Sequence, residues 1–432
     1  MRRSLIFLLL FSLVVFLSAP AMATNGDNLI SIGPISRSMG GVGIAAPQDA
    51  ISAVFSNPAA MCFGPYCPGS GFDFAGTLFM PKVKASISGQ AFGPMPAFNI
   101  SADSDKKVYA IPAIGLSVPI TSAFPLWRFG IAAYGVSGLG VDYRNTAIND
   151  PQHFNFGPMG QFPLAAGTDT QLQIMKFAPS IAFQPNESFS VGLAVHIDYD
   201  SLDLGSGSSF NYALGAQLGA IYKLTDMISV GATYITPQEV KFKNVADFNG
   251  DGVADNLKLE SPQQVGIGVA VEPVKDCLLL EANGRWINWA DATGYKDFDW
   301  KDQWVLALGA QFKPVKQLAL RVGYNYGDNP VRQHGNFDGA YSPTNNVNVQ
   351  GVQIPRYYYE TFRMIGFPAI VKQHVTMGVG YEFSKKFVVN AGYTHGFKET
   401  LSESGTNIAG QPTTLQSTLS EDSVEFGLTF RF

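Results

Sequence analysis

Apolar and polar residues alternate along most of this chain. At its end, Val424, Phe426, Leu428, Phe430 and Phe432 fall on one face, and Ser423, Glu425, Gly427, Thr429 and Arg431 on the other. Period two is the signature of a β-strand with unlike faces. The pattern returns in Val375, Met377, Val379, Tyr381 and Phe383, in Leu318 to Tyr326 with Arg321 and Asn325 opposite, and in Leu278 to Trp286 opposite Glu281, Asn283 and Arg285. It also returns in Val191 to Tyr199, where His196 and Asp198 take the polar face. Read throughout, it predicts strands over 71–87, 107–118, 127–143, 170–184, 188–203, 210–223, 227–242, 257–272, 277–293, 302–313, 317–327, 373–383, 386–397 and 422–432. The total is about 14, an even number as in bacterial membrane barrels.

The connections carry a second pattern. After even-numbered strands they are short, such as PNE, LTD, PVK and SK. After odd-numbered strands most are long: 88–106, 144–169, 243–256, 328–372 and 398–421. Short periplasmic turns alternating with long external loops suit an outer-membrane barrel. A soluble sandwich has no reason to keep that parity.

Composition sharpens this reading. Hydrophobic residues make up 46% of the chain, yet no internal run reaches the roughly 18 apolar residues of a membrane-spanning helix. Charged residues are only 15%, and the net charge of -5 argues against nucleic acid as a partner. At the start, Arg2 and Arg3 precede an apolar run, Leu5 to Leu17, and an Ala21-Met22-Ala23 cleavage site, so residues 1–23 read as a secretory signal. Export, strand patterning and no membrane helix together predict the bacterial outer membrane.

Residues 24–68 differ from the rest. Between Leu29 and Met61 the chain is rich in glycine, proline and small residues and is too short to bury a core of its own. The expected architecture is all-β: a transmembrane antiparallel barrel over 69–432 with this segment as a plug, or hatch, inside the lumen. Cys62 and Cys67 flank FGPY, which allows a disulfide in an oxidising periplasm or two buried thiols. Cys277 is left to pack.

Several short motifs resemble one family. Ser38-Met39-Gly40-Gly41, Asp49-Ala50 and Ser56-Asn57-Pro58-Ala59 are similar to the hatch of the FadL/TodX outer-membrane transporters of long-chain fatty acids and aromatic hydrocarbons. Asn288-Trp289-Ala290, Arg321-Val322-Gly323-Tyr324, Asp328-Asn329-Pro330-Val331 and Gly392-Tyr393-Thr394-His395-Gly396 are similar to its later strands. The resemblance implies a 14-stranded barrel, a hatch that moves through segments such as that holding Asn57 and Pro58, and a kink in the third strand that opens the wall sideways. By the same resemblance Gly138 falls at that kink; the alternative is that the glycines of this strand make room for the plug.

Candidate chemistry is sparse. The five histidines lie apart without metal spacing, no G-x-S-x-G is present, and no enzyme activity is expected. His196 and Asp198 should both face the lumen and take part in hydrogen bonding. Loop 144–169 carries Phe154, Phe156, Met159 and Phe162, and loop 328–372 carries Tyr358 and Phe362, with Arg363 and Arg356 available to a carboxylate. Apolar residues in external loops suggest a capture groove, or two loops packing on one another and on lipopolysaccharide. Asp247, Asn249, Asp251 and Asp255 follow the first positions of a calcium loop, but Lys258 stands where the bidentate Glu belongs. A structural Ca²⁺ there is the one cofactor expected, against a plain acidic turn. The expected function is diffusion-driven uptake of hydrophobic small molecules by a monomer; the alternatives are a general porin and a surface adhesin.

Overall fold

A computed structural model describes residues 24–62, 70–105, 108–157 and 160–432. The expected signal segment, the Cys62–Cys67 pairing and Met159 lie outside the described residues. Among the described residues, fourteen antiparallel strands close on themselves: β1 (Gly71–Gly89), β2 (Tyr109–Pro119), β3 (Leu126–Asp142), β4 (Asp169–Asn186), β5 (Phe189–Asp203), β6 (Ser208–Thr225), β7 (Ile228–Ile235), β8 (Gln264–Val274), β9 (Leu278–Ile287), β10 (Gln303–Val315), β11 (Leu318–Gly327), β12 (Gln373–Ser384), β13 (Phe387–Thr406) and β14 (Pro412–Arg431). Each pairs with the next, and β14 pairs with β1 from Thr413↔Gly89 to Arg431↔Gly71, which abolishes the sheet edge.

The alternation follows the wall. Val424, Phe426 and Phe430 are exposed outward, while Ser423 and Glu425 between them are buried inward. Along β12, Met377, Val379 and Tyr381 face out and Thr376 faces in. Val379, 41% exposed, sits between Leu320 of β11 and Ala391 of β13. Val379→Arg should destabilise the barrel by about 2–4 kcal/mol if this row is at the bilayer midplane. Urea unfolding in lipid vesicles would measure it, and an unchanged midpoint would place the row outside the lipid.

Three expectations are corrected. The external loop 398–421 is instead mostly strand: β13 and β14 run on to a turn at 407–411. There Leu401, Leu415 and Leu419 still point inward, but the outward residues are polar, such as Lys398, Thr400 and Gln416. Beyond the lipid the outward face no longer needs to be apolar, so the alternation fades. Second, β7 ends at Ile235 and β8 begins at Gln264, with Gln238–Ala246 and Asp255–Ser261 forming a separate hairpin. Pro237 and Pro262 stand at the two breaks and cannot donate to a ladder. Third, within the loop 88–106 the segment Phe98–Asp103 adds to β1, from Lys84↔Asp103 to Gly89↔Phe98.

Residues 24–62 lie within the ring of strands. A short hairpin, Thr24–Asn25 with Asn28–Leu29, leads to α1 (Pro34–Ser38), α2 (Ala50–Ser56) and a 3-10 turn, Pro58–Cys62. Asp49 caps α2 by accepting from Ser52 N at 2.6 Å. From Thr24 to Met61, all residues but Asn28, Gln48 and Phe55 are buried. So little regular structure cannot bury itself; the wall does it with inward-facing glycines.

Gly309 and Gly323 are cross-strand partners, as are Gly378 and Gly392. A Cβ on Gly323 would fall 2.0 Å from Gly40 N, and one on Gly309 2.5 Å from Met39 O. Another pair, Gly192 and Gly219, lies against Pro58–Ala59 and Asn57. The glycines let barrel and hatch main chains touch.

Irregular backbone leaves unpaired N–H and C=O groups, and lumen side chains meet them. Asn325 donates to Gly40 O at 2.9 Å, Gly40 N donates to Thr376 Oγ1 at 2.9 Å, and Ala45 N donates to Glu281 at 2.8 Å. Arg37 is fully buried and pairs with the equally buried Glu425 at 2.8 Å, while also donating to Ser423 at 2.8 Å.

Candidate functional site

Among the described residues, the ladder between β2 and β3 is interrupted. Their ladder runs from Pro119↔Arg128 to Ala113↔Tyr134 and stops. Pro112 is the next residue of β2 and has no N–H to offer. On β3, Val136 is an extra residue between Gly135 and Ser137, a bulge that shifts the register against β4. From Tyr109 to Pro112, β2 pairs only with β1, from Phe79↔Tyr109 to Gly76↔Pro112. The gap closes again higher up, where Tyr109 donates to Gly140 O at 3.3 Å and Asp105 N to Asp142 O at 2.9 Å.

The hatch covers this gap from inside. Asn28 of its hairpin pairs with Ser137, the exposed edge of β3. Asn28 Nδ2 and Ser137 Oγ are buried without a hydrogen-bond partner. Gly138 has no neighbour within 4 Å of where its Cβ would be, so a side chain there would meet open space.

A cavity of about 50 Å³ lies beside the seam, with Leu29, Phe55, Tyr134, Val136 and Ile287 as its apolar lining. Its polar lining includes Lys176, His196 and Arg285. Asp198 is occupied by Lys176, which also bonds to Gln238 at 2.5 Å. His196 lies beside Gln217, yet no hydrogen bond of normal geometry reaches either ring nitrogen. Asn57, inside the hatch, donates to Ile44 O at 2.8 Å and to Ala220 O of β6 at 3.1 Å, so it fastens hatch to wall. Pro58 stacks its backbone on Gly192.

Comparison with known proteins places the fold. A family model described as outer membrane protein transport protein (OMPP1/FadL/TodX) matches residues 206–337. The toluene transporter TodX of P. putida superposes with a TM-score of 0.63 at 19% identity, covering 93% of this chain and 99% of that one. A Pseudomonas aeruginosa FadL homologue gives 0.64 at 16% identity, over 96% and 100%. The fold is that of the FadL/TodX barrels. The Ralstonia pickettii toluene transporter TbuX also superposes, with a TM-score of 0.58 at 15% identity over 93% and 98%. No curated protein sequence matches the chain.

The external loops form a packed cap, in which the two apolar loops of the expected capture groove lie against one another. Phe154 is buried, its ring 6.0 Å from Tyr357. Phe362 is buried against Phe298 at 4.9 Å and Phe248 at 5.5 Å. Tyr357 donates to Leu164 O at 2.7 Å and Tyr358 to Pro163 O at 3.0 Å, which joins the two loops. Phe156, Phe162 and Tyr358 are half-buried at the margin, and Tyr341 beside Phe162 is 60% exposed. Apolar loop residues are equally well kept from water by one another as by a ligand, so their presence alone did not decide between the two.

Arg363 is not a free head-group site. It is wholly buried and donates to Glu360 at 3.2 Å, Glu403 at 2.9 Å and Arg332 O at 3.1 Å. Two internal carboxylates already neutralise it.

The acidic loop is closed by its own backbone. Asp247 accepts from Gly250 N at 2.7 Å and Gly252 N at 2.8 Å, Asn249 donates to Asp251 at 3.0 Å, and Asp255 accepts from Phe248 N at 3.0 Å. Among the described residues, the group that brings three His or carboxylate ligand atoms within 4.8 Å of one another is His334, Glu360 and Glu403. Nothing in the sequence spacing pointed to it. The proline in β2 was a visible signal of the seam that alternation alone passed over.

Proposed function

We propose that this chain is a diffusion-driven outer-membrane channel for hydrophobic small molecules, hydrocarbons or long-chain fatty acids, with a sideways exit through the β2–β3 seam. The observation that carries the reading is the interrupted ladder, where β3 lacks its neighbour and a hatch hairpin stands in for it. A molecule in the adjoining cavity would need only the hairpin at Asn28 to shift, with Asn57 and Pro58 as the fastening that must loosen. Apolar cargo gains by leaving sideways into lipid, since each CH₂ kept from water is worth roughly 0.8 kcal/mol. The relatives support the cargo class: TodX and TbuX are described as toluene transporters. A general porin is the weaker reading, because the buried hatch fills the lumen that polar solutes would need.

Gly138→Phe tests the exit. The site has space for a side chain, so folding should be unchanged, as judged by the heat-dependent gel shift of the barrel. Uptake of toluene or oleate should slow by about tenfold or more, the effect of roughly 1.4 kcal/mol on the barrier. Normal uptake through a folded variant would remove the seam from the route.

A further inference from the structure

The cap is held by an ion cluster that the transport route does not use. His334 lies on the loop between β11 and β12. Its Nδ1 is 2.8 Å from Glu360 Oε2 on α3 (Arg356–Thr361), and its Nε2 is 2.8 Å from Asp299 Oδ2 on the loop after β9. Its backbone N–H donates to Glu403 Oε1 on β13 at 2.8 Å. One residue therefore joins three separate external segments. Around it, Arg363 bridges Glu360 and Glu403, Arg332 pairs with Asp299 at 3.2 Å, and Arg356 with Glu360 at 3.3 Å.

The geometry specifies a protonation state. A neutral imidazole has one N–H and one lone pair. Between two carboxylates at hydrogen-bond distance it satisfies one and turns a lone pair on the other. An imidazolium donates to both.

Charge counting agrees. The side chains of Glu360, Glu403 and Arg363 are all fully buried and together carry one net negative charge. Asp299, Arg332 and Arg356 are 44%, 53% and 38% exposed and are screened by water. A proton on His334 balances the buried set, whereas a divalent ion beside Arg363 would overshoot it. The bond to Glu360 lifts His334 above the ordinary imidazole range, against burial and the Arg363 charge. Burial works to raise Glu360, but His334 and Arg363 prevail and hold it below the usual carboxylate range. Burial raises Glu403, whose Oε1 still has two donors.

We propose that His334 is a protonation-controlled latch on the external cap, closed as the imidazolium and released when it loses its proton. The direction follows from linkage. A group whose value is raised in the closed cap stabilises closure fully below its ordinary value, and that contribution is lost as pH rises through the raised value. Acid keeps the latch shut until Glu360 is protonated. Release would reach the transport route, because the turn after α3 touches the barrel interior: Met364 O accepts from Ser417, and Gly366 O from Thr170 at 2.7 Å. Pro368 then lines a small cavity with Gly138 and the hatch hairpin.

Hydrogen–deuterium exchange of the full-length protein in detergent, corrected for intrinsic rates, reads the latch without reference to transport. Opening of segments 296–302 and 356–366 should rise about tenfold per pH unit between the ordinary and the raised imidazole value, then level off. His334→Gln should abolish that slope, and Asp299→Asn, which removes the negative charge from one of the two acceptors, should reduce it. Unchanged exchange of residues 31–42 would show that the barrel and hatch of each variant are intact. A flat wild-type profile from pH 6 to 9 would overturn the proposal, as would a wild-type slope retained in His334→Gln.

Discussion

Gly323→Val should leave the barrel folded and dislodge the hatch. The new Cβ would stand 2.0 Å from Gly40 N and 2.1 Å from Met39 C, both main-chain atoms. No rotamer change relieves such a contact. The strand keeps its ladder to β10 and β12 and has no objection to a β-branched residue, so the hatch must yield. Overpacking costs about 1–3 kcal/mol even where side chains can adjust, and here only backbone can. The unseated population should rise by about a hundredfold, the upper end of that range. Single-channel conductance in planar bilayers would register it as a large increase, together with sugar permeation. Wild-type conductance in a folded variant would mean that the hatch does not close the lumen.

Arg37→Met should loosen the same segment by a different route. Arg37 and Glu425 form an ion pair with neither side chain exposed. Removing one partner of a buried pair typically costs about 3–5 kcal/mol, because the other charge is left uncompensated. Glu425 would retain only the hydroxyl of Ser423, at 2.6 Å. Exchange of residues 31–42 should accelerate by about two to three orders of magnitude, and adding Glu425→Gln should recover most of the protection. An Arg37→Met variant that exchanges like the wild type would show that water reaches the pair.

Much of the architecture could be read in advance because lipid and lumen impose opposite demands on alternate residues. Val424, Phe426 and Phe430 must satisfy acyl chains while Ser423 and Glu425 satisfy a polar interior, and the period of two survives wherever the strand is inside the membrane. Where β13 and β14 rise above it, the outward demand disappears and the pattern with it. Pro112 shows a different limit. It is visible in the sequence, yet whether it breaks the β1 or the β3 side of its strand depends on which edge carries its missing N–H.

The cap was the least legible part. Phe154 and Phe362 announced that something covers them, but a partner loop and a ligand look the same from one dimension. Arg363 has Glu360 within one helical turn, and its second partner, Glu403, comes from β13. His334 meets Asp299, Glu360 and Glu403 only because the fold draws two loops and the outer end of β13 to one point.

By itself the amino-acid order determined the strand count, the lipid-facing row, the parity of turns and loops and the need for an enclosed amino-terminal segment. All of these follow from local periodicity and from solvents that act on each residue separately. Only the tertiary structure decided where the ladder breaks, which glycines receive the hatch and which charges neutralise one another. Those depend on distances between residues far apart in the chain, which closing the barrel sets.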